Sequence, residues 1–555
     1  MNYSAKILSQ TVTELCKAKN IEHIVISPGS RNAPLTIGFT NDRFFKCFSI
    51  VDERCAAFFA LGIAQQVQKP VALVCTSGSA LLNYYPAIAE AFYSNTPLVI
   101  LSADRPEHLL NIGDGQTINQ NNVFANHIAY SVNCKEGKSH QNFNETEINT
   151  ALNVAIAKNL PVHINIPFSE PLYETVTTAS VIPNNVSLSK EIKWNEKLDS
   201  FQKIWYKTQK KMVLVGVLPP DSIEKKWIDI LANDPSVLVF TETTSNIHHT
   251  NFIHSIDTLI ASLKAEEFKQ LQPEILVTFG GMIISKKMKA FLRSFPPQQH
   301  WHIDRYKAYD TYFCLTKHFI TDINIFFNNF LPKTASNTKS DFQKKWLSIF
   351  NFKQQQQRDF EKDVPYSDFY VFSQIIKSLP KGSQLQIANS ASIRYAQLFK
   401  IDSSITVFCN RGTSGIDGST STAIGAAVVS GLPTVFITGD LSFFYDSNAL
   451  WNKHIPDNFK IILINNSGGG IFRIIAKNKT SDKFSEFFET NHNLNASHLC
   501  AMHNITYHSA TDKESLEKTL NVFFSRKKKP ALLEIKTPSK INDVVLKDFF
   551  KNVAR

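Results

Sequence analysis

Two stretches near the C-terminal end carry residues suited to holding a charged ligand. "FITGDLS", residues 436–442, is an apolar run stopped by a glycine, an acid and a serine. "FKIILINNSGGGIF", residues 459–472, is a second apolar run that stops at two asparagines and three glycines. Both runs read as buried parallel strands. In a parallel α/β sheet ligands sit outside the carboxyl ends of the strands, so Asp440 and Asn466 can converge on one object. Two oxygen-bearing side chains suit a hard cation, and the backbone N–H groups of Gly468, Gly469 and Gly470 suit a phosphate. A magnesium diphosphate would use both. The competing reading makes Asp440 an N-cap for the helix-like text "DLSFFYDSNALW".

A second acid, Glu53 in "DERCAAFFALGIA", enters a face of Ala, Phe and Leu. It is a surface charge, a partner of the helix dipole, or a buried carboxylate able to serve a nitrogen heterocycle. Cations recur at expected strand ends. Arg31 lies in "SPGSRNAPL", Arg105 in "SADRP", Arg394 in "NSASIRYAQ" and Arg411 in "CNRGTSGIDG". Lys286 and Lys287 lie in "FGGMIISKKM". Each alone reads as a surface charge. Together they suit a ligand with several carboxylates, which forked guanidinium groups hold in fixed geometry. His248, His249 and His254 in "NIHHTNFIH" lack the spacing of a helix-face metal site, and the chain has no Walker loop.

Elements able to position these residues follow an α/β rhythm. Residues 1–180 alternate helix and strand signals and close on "LPVHINIPFSEPLY", with a Ser/Thr/Asn-rich linker over 175–190. Residues 191–335 carry the strands "KMVLVGV", "SVLVF", "EILVTFG" and "HWHID". A polar stretch over 333–340 and the helical text "FQKKWLSIFNFKQQQQRDFEK" lead to a third region, 365–555. The first and third regions echo each other: "TSGSALLNYYPAIAEAFYSNTPLVILSAD" and "TGDLSFFYDSNALWNKHIPDNFKIILINN" share strand end, small-residue turn, helix and strand. The expectation is three doubly wound parallel-sheet α/β domains, the first and third related by duplication.

The 555 residues are long enough for about three domains. A net charge of +11 is compatible with anionic small molecules. The basic run Arg526, Lys527, Lys528 and Lys529 precedes the strand-like "ALLEIKT" with no interleaved aromatics, which argues for a solvated loop rather than a nucleic-acid patch. Eight cysteines without a C-x-x-C pair argue for reduced thiols in the cytoplasm. No signal peptide or membrane span is expected.

Taken together, "SPGSRNAPLT", "DERCAAFFALGIA", "SADRP", "PVHINIPFSEPLY", "NRGTSGIDGSTSTAIG" and "GDLSFFYDSNAL" resemble the thiamine-diphosphate enzymes. Within them, the chain is similar over nearly its full length to the 2-succinyl-5-enolpyruvyl-6-hydroxy-3-cyclohexene-1-carboxylate synthase family of menaquinone synthesis. The superfamily's GDG appears here as "GDLS", with Leu441 in place of the second glycine, while the narrower family's own form fits. The resemblance implies a pyrimidine-binding domain, a middle domain and a diphosphate-binding domain. It implies that Asp440, Asn466 and the carbonyl of Gly468 bind Mg²⁺ or Mn²⁺, with Leu441 and Ser442 beside the cofactor and Ile416 bending it. Glu53 is implied to hydrogen-bond the aminopyrimidine and favour its imino tautomer. The implied substrates are 2-oxoglutarate, which is decarboxylated, and isochorismate, which takes up the succinyl carbanion by 1,4-addition. Ser30, Arg31, Arg105, Gln116, Ser390, Arg394 and Arg411, and more loosely Lys286 and Lys287, fall at substrate-contact positions. Because Glu53 and Asp440 lie in different domains, the resemblance also implies a cofactor bridging two subunits of a homodimer or a dimer of dimers. The rival readings are a pyruvate-using carboligase with a flavin in its middle domain and a silent cofactor-fold binding protein.

Overall fold

The computed structural model describes residues 2–187, 194–331, 339–475, 481–525 and 529–554. Three six-stranded sheets, parallel at every strand pair, account for most of the strand content. The N-terminal sheet runs, edge to edge, Lys46–Ser49, His23–Ile26, Val71–Cys75, Leu98–Asp104, Val162–Pro167 and Tyr130–Asn133. The C-terminal sheet runs Thr406–Phe408, Gln384–Ile387, Thr434–Gly439, Phe459–Asn465, Ala531–Lys536 and Thr506–Ala510. Numbered by chain order within each sheet, both have the order 2-1-3-4-6-5. The stretches that echo each other in sequence begin at the third strand of each sheet and run through the fourth. The middle sheet has a different order, 3-2-1-4-5-6, from Phe252–Ile253 through Val237–Thr241, Lys211–Val215, Ile275–Phe279 and Gln299–Ile303 to Lys317–Phe319. A short antiparallel pair, Tyr3–Ser4 with Thr175–Val176, ties the start of the N-terminal unit to its end.

The central strands are buried on both faces, as parallel sheets flanked by helices require. Alternate residues feed different cores. Leu73 and Ile100 of the N-terminal sheet share one cluster with Phe436 and Ile461 of the C-terminal sheet, whereas Val74 and Leu101 face a separate core. The shared core is bridged by two helices, Glu53–Val67 and Ser419–Ser430. They cross so closely that a Cβ on Gly62 would lie 2.0 Å from Thr422 O, and one on Gly425 2.0 Å from Phe59 O. Only glycine fits at either point, and the chain has one at both.

Helix Phe342–Asp363 covers part of the middle sheet through Phe342, Trp346 and Phe350. Of the polar stretch before it, residues 333–338 lie outside the described residues, as do 188–190 at the end of the earlier linker. Arg526, Lys527 and Lys528 also lie outside them. Lys529 donates to Asn504 Oδ1 at 3.3 Å, just before strand Ala531–Lys536. The eight cysteines carry no disulfide. Among the described residues, no helix is long and apolar enough to cross a membrane.

Candidate active site

Asp440 is the first residue of helix Asp440–Tyr445, directly after strand Thr434–Gly439. It does not act as the cap: Gly439 holds that position. Asp440 Oδ1 accepts the N–H of Leu441 at 2.7 Å, while Oδ2 accepts the Gly468 N–H at 2.9 Å from the end of the neighbouring strand. The two strand ends are thus tied together through the acid. Gly468 has φ +147, and a Cβ there would lie 2.5 Å from Glu489 O. Its carbonyl accepts the N–H of Gly470 at 3.0 Å and keeps a second lone pair for another partner.

Asn466 supplies the fit test for a cation. Its Nδ2 donates to Asp368 Oδ2 at 3.0 Å, which fixes the amide so that Oδ1 faces the other way. That oxygen is buried and has no partner among the described residues. An orphaned carbonyl oxygen, a buried carboxylate and a glycine-rich turn together match the donor set of a hard divalent ion holding a diphosphate. Neither Asp368 nor His492, whose Nε2 lies 3.3 Å from Asp440 Oδ2, stands out in the sequence. Asp368 sits far upstream, at the start of helix Asp368–Ser378, and burial pushes its carboxyl up to about 6. Ser442 donates to the carbonyl of Ile416 at 2.9 Å, which joins the turn after Asp440 to the loop carrying Ile416.

Arg394 and Arg411 come together in the C-terminal unit. Ser390, with φ +70, lies beyond the end of strand Gln384–Ile387 and is the N-cap of the short helix Ala391–Ala396 that carries Arg394. Arg411 Nη1 donates to Asn389 Oδ1 at 2.8 Å. The Nε atoms of both arginines are buried without a hydrogen-bond partner among the described residues. Burial, and then the Arg411 charge, hold Arg394 below its ordinary value. Two crowded guanidinium groups with open donors favour an anion.

The lysine that faces them is Lys289, which burial followed by Arg411 also holds below its ordinary value. Lys286 is exposed, and Lys287, also exposed, packs over the Phe550 ring at 4.9 Å and acts, as Arg394 does, on the carboxyl of Asp257. On helix Lys286–Ser294, Lys286 and Lys287 lie on the solvent side of the turn that carries Lys289, a difference a lysine-rich stretch does not reveal by itself. Lys289 and Arg411 line a cavity of about 390 Å³ at the carboxyl ends of the middle strands. Glu242, buried and pushed up to about 7 by that burial, accepts the N–H groups of Ile284 (2.6 Å) and Ser285 (2.8 Å) and so holds the turn before this helix.

The N-terminal residues form a second group. Asp52, not Glu53, caps helix Glu53–Val67 by accepting the Cys55 N–H at 3.1 Å, and Glu53 stands in the first turn, where a carboxylate also meets the helix dipole. Glu53 is half-buried and accepts a hydrogen bond from Asn83 at 3.3 Å. Arg31 is buried, donates to Phe168 O at 2.7 Å and pairs with the largely exposed Glu170 at 3.1 Å. The anion that faces Arg31, just before helix Ala33–Thr40, is thus supplied by the chain itself. Ser30 is exposed and accepts from Tyr173 OH at 3.4 Å. Arg105 donates to Gly115 O at 3.0 Å, next to the exposed Gln116, whose φ is +57. The buried Ser77 hydroxyl, in the turn after strand Val71–Cys75, has no partner among the described residues and is a further polar group that the sequence reading passed over. His248, His249 and His254 build no metal cluster; among the described residues no group of His, Cys, Asp and Glu does.

Comparison with known proteins agrees with this layout. The family described as thiamine pyrophosphate enzyme, N-terminal TPP binding domain, matches residues 7–127. The middle domain of thiamine pyrophosphate matches 185–387, and the C-terminal TPP binding domain matches 389–535. A 2-succinyl-5-enolpyruvyl-6-hydroxy-3-cyclohexene-1-carboxylate synthase of Flavobacterium psychrophilum is 56% identical over 553 residues, covering 100% of both chains. The similarly named protein of Flavobacterium johnsoniae is 54% identical over 556 residues, again covering 100% of both. That of Porphyromonas gingivalis is 36% identical over 568 residues, covering 100% of this chain and 98% of the other. With three thiamine-enzyme domains and end-to-end identity of this order, the chain belongs to the thiamine-diphosphate-dependent 2-succinyl-5-enolpyruvyl-6-hydroxy-3-cyclohexene-1-carboxylate synthase family.

Proposed function

We propose that this enzyme decarboxylates 2-oxoglutarate and adds the resulting succinyl unit to isochorismate in a 1,4 fashion, as a cytoplasmic step of menaquinone synthesis. The observation that carries the choice of substrates is the Arg394–Arg411 pair, with buried, open Nε donors and Lys289 facing them. Glu242 and Asp257 offset part of this charge, and the cationic groups that remain suit two dianions better than a small monoacid. When bound, thiamine diphosphate would supply the nucleophilic carbon needed for decarboxylation of the 2-oxoacid and transfer of its remaining carbons.

The residues of the chain bind, orient and move protons around that chemistry. Asp440, the Oδ1 of Asn466 and the carbonyl of Gly468 would hold Mg²⁺ or Mn²⁺ against the diphosphate, with Asp368 orienting the amide. Leu441 and Ser442 border the same turn, and Ile416 would support the bend of the cofactor. Glu53 would hold the proton at the aminopyrimidine nitrogen. Arg394, Arg411, Lys289 and Ser390 would receive the carboxylates from the C-terminal and middle units. Ser30, Arg31, Arg105 and Gln116 would approach from the N-terminal one.

We assign the domains as 1–180, 191–335 and 365–555, and the active form as a homodimer or dimer of dimers. An apolar rim beside Glu53 supports a subunit interface there. Val51 is 40% exposed, Leu82 42% and Tyr445 59%, and Tyr445 stacks under Arg54, the residue after Glu53. The test is an omission assay on purified protein. Product should form only when 2-oxoglutarate, isochorismate, thiamine diphosphate and a divalent metal are all present. Equal turnover with pyruvate replacing 2-oxoglutarate would overturn the substrate assignment.

A further inference from the structure

The loop from Arg411 to Gly418 belongs to the C-terminal unit, yet the N-terminal unit of the same chain holds it. Glu90, on helix Tyr85–Ser94, is 1% exposed. Its Oε1 accepts the N–H of Gly412 at 2.6 Å. Its Oε2 accepts the N–H of Thr413 at 2.6 Å, the Thr413 hydroxyl at 2.8 Å and the N–H of Ser414 at 3.2 Å. Three consecutive backbone N–H groups pointing at one anion form a nest, which elsewhere binds phosphates and here is filled by a side chain. Ser414, at φ +63, closes its far side. A Cβ on Gly412 would lie 2.3 Å from Glu90 O, so the approach tolerates glycine alone.

The nest is continuous with the residues that face the substrate. Asn389 accepts Arg411 Nη1 at 2.8 Å and donates to Asn410 O at 2.7 Å and Gly415 O at 2.8 Å. Arg411 is thus fixed from one side by Asn389 and at its following peptide by Glu90. We propose that Glu90 is a positioning residue for the carboxylate-binding reaction, setting the direction of the Arg411 guanidinium from another domain. The inference rests on the assignment of Arg411 to a substrate carboxylate. An amide at this position cannot serve: its NH₂ would face a backbone N–H, leaving one buried donor unpaired.

The test compares steady-state kinetics of the holoenzymes Glu90→Gln, Thr413→Val, Thr413→Ser, Arg411→Ala and the double variant Glu90→Gln/Arg411→Ala. Losing a buried hydrogen bond to a charged acceptor should raise the KM of a dianionic substrate in Glu90→Gln about tenfold. The change in kcat should be smaller, and thiamine diphosphate affinity should stay at the wild-type value. Thr413→Val, which removes one of the donors, should shift KM in the same direction by less. Thr413→Ser, which keeps the hydroxyl, should restore wild-type kinetics. The double variant should be no worse than Arg411→Ala. Wild-type KM in Glu90→Gln with an impaired Arg411→Ala would overturn the proposal, as would defects that add in the double variant. A change confined to melting temperature or cofactor affinity would reduce Glu90 to a structural clamp and overturn it too. Wild-type kinetics in Arg411→Ala would instead remove the substrate assignment on which it rests. Should Glu90→Gln fail to fold, the Thr413 pair alone decides between the outcomes.

Discussion

Glu53 sits one residue inside its helix because Asp52 already satisfies the cap, so its carboxylate is available for work. Replacing it with glutamine keeps the shape and removes the proton carrier. We expect Glu53→Gln to bind cofactor like the wild type and to lose about 10²–10⁴-fold in turnover, the usual weight of a general acid–base group. Near-normal turnover at saturating cofactor would remove Glu53 from the mechanism. Asp440→Ala deletes both the proposed metal ligand and the acceptor for the Gly468 N–H. Its cofactor affinity, measured by calorimetry at limiting Mg²⁺, should fall and recover as metal is raised. Unchanged affinity would leave Asp440 as a turn-forming residue only. For Arg394→Ala, losing a desolvated charge pair should cost about 2–5 kcal/mol, a fall in kcat/KM of at least tenfold, with cofactor affinity intact.

At the scale of elements, the helices Glu53–Val67 and Ser419–Ser430 set the distance between the two thiamine-enzyme units. Backbone meets backbone at Gly62 and Gly425, so an added methyl has no rotamer by which to escape. Gly62→Ala should lower stability by at least about 1–3 kcal/mol, read as a clear drop in melting temperature. An unchanged melting temperature would mean that the helices slide apart at no cost. The apolar strands of this frame were legible in the sequence, among them "VALVC", "TVFITG", "KIILIN" and "ALLEIK", because burial on both faces demands continuous hydrophobic text. Three of the edge strands were not. "KCFS", "YSVN" and "TYHSA" are half-exposed and polar, so they carry no such run. The convergence of Asp440 with the turn at Asn466 was legible because the two follow adjacent strands. Asp368 and Glu242 were not, since each reaches its partner across a distance in sequence that only the fold closes. Lys289 was passed over for a smaller reason: within one helical turn, only the three-dimensional setting decides that it is less exposed than Lys286 and Lys287.

For the whole molecule, the matching 2-1-3-4-6-5 order of the outer sheets gives one chain both halves of a cofactor site. If each cofactor lies between Glu53 of one subunit and Asp440 of another, mixing inactive Glu53→Gln and Asp440→Ala subunits should regenerate activity, because one site of the mixed dimer then carries neither change. No recovery on mixing would place both residues of a site in one chain. The central claim is the reaction itself, and uniformly ¹³C-labelled 2-oxoglutarate tests it most directly. With isochorismate, thiamine diphosphate and Mg²⁺, mass spectrometry should find one labelled CO₂ released for each adduct formed, the adduct carrying four labelled carbons joined to the intact ring. Labelled CO₂ without such an adduct, or an adduct retaining all five labelled carbons, would contradict it.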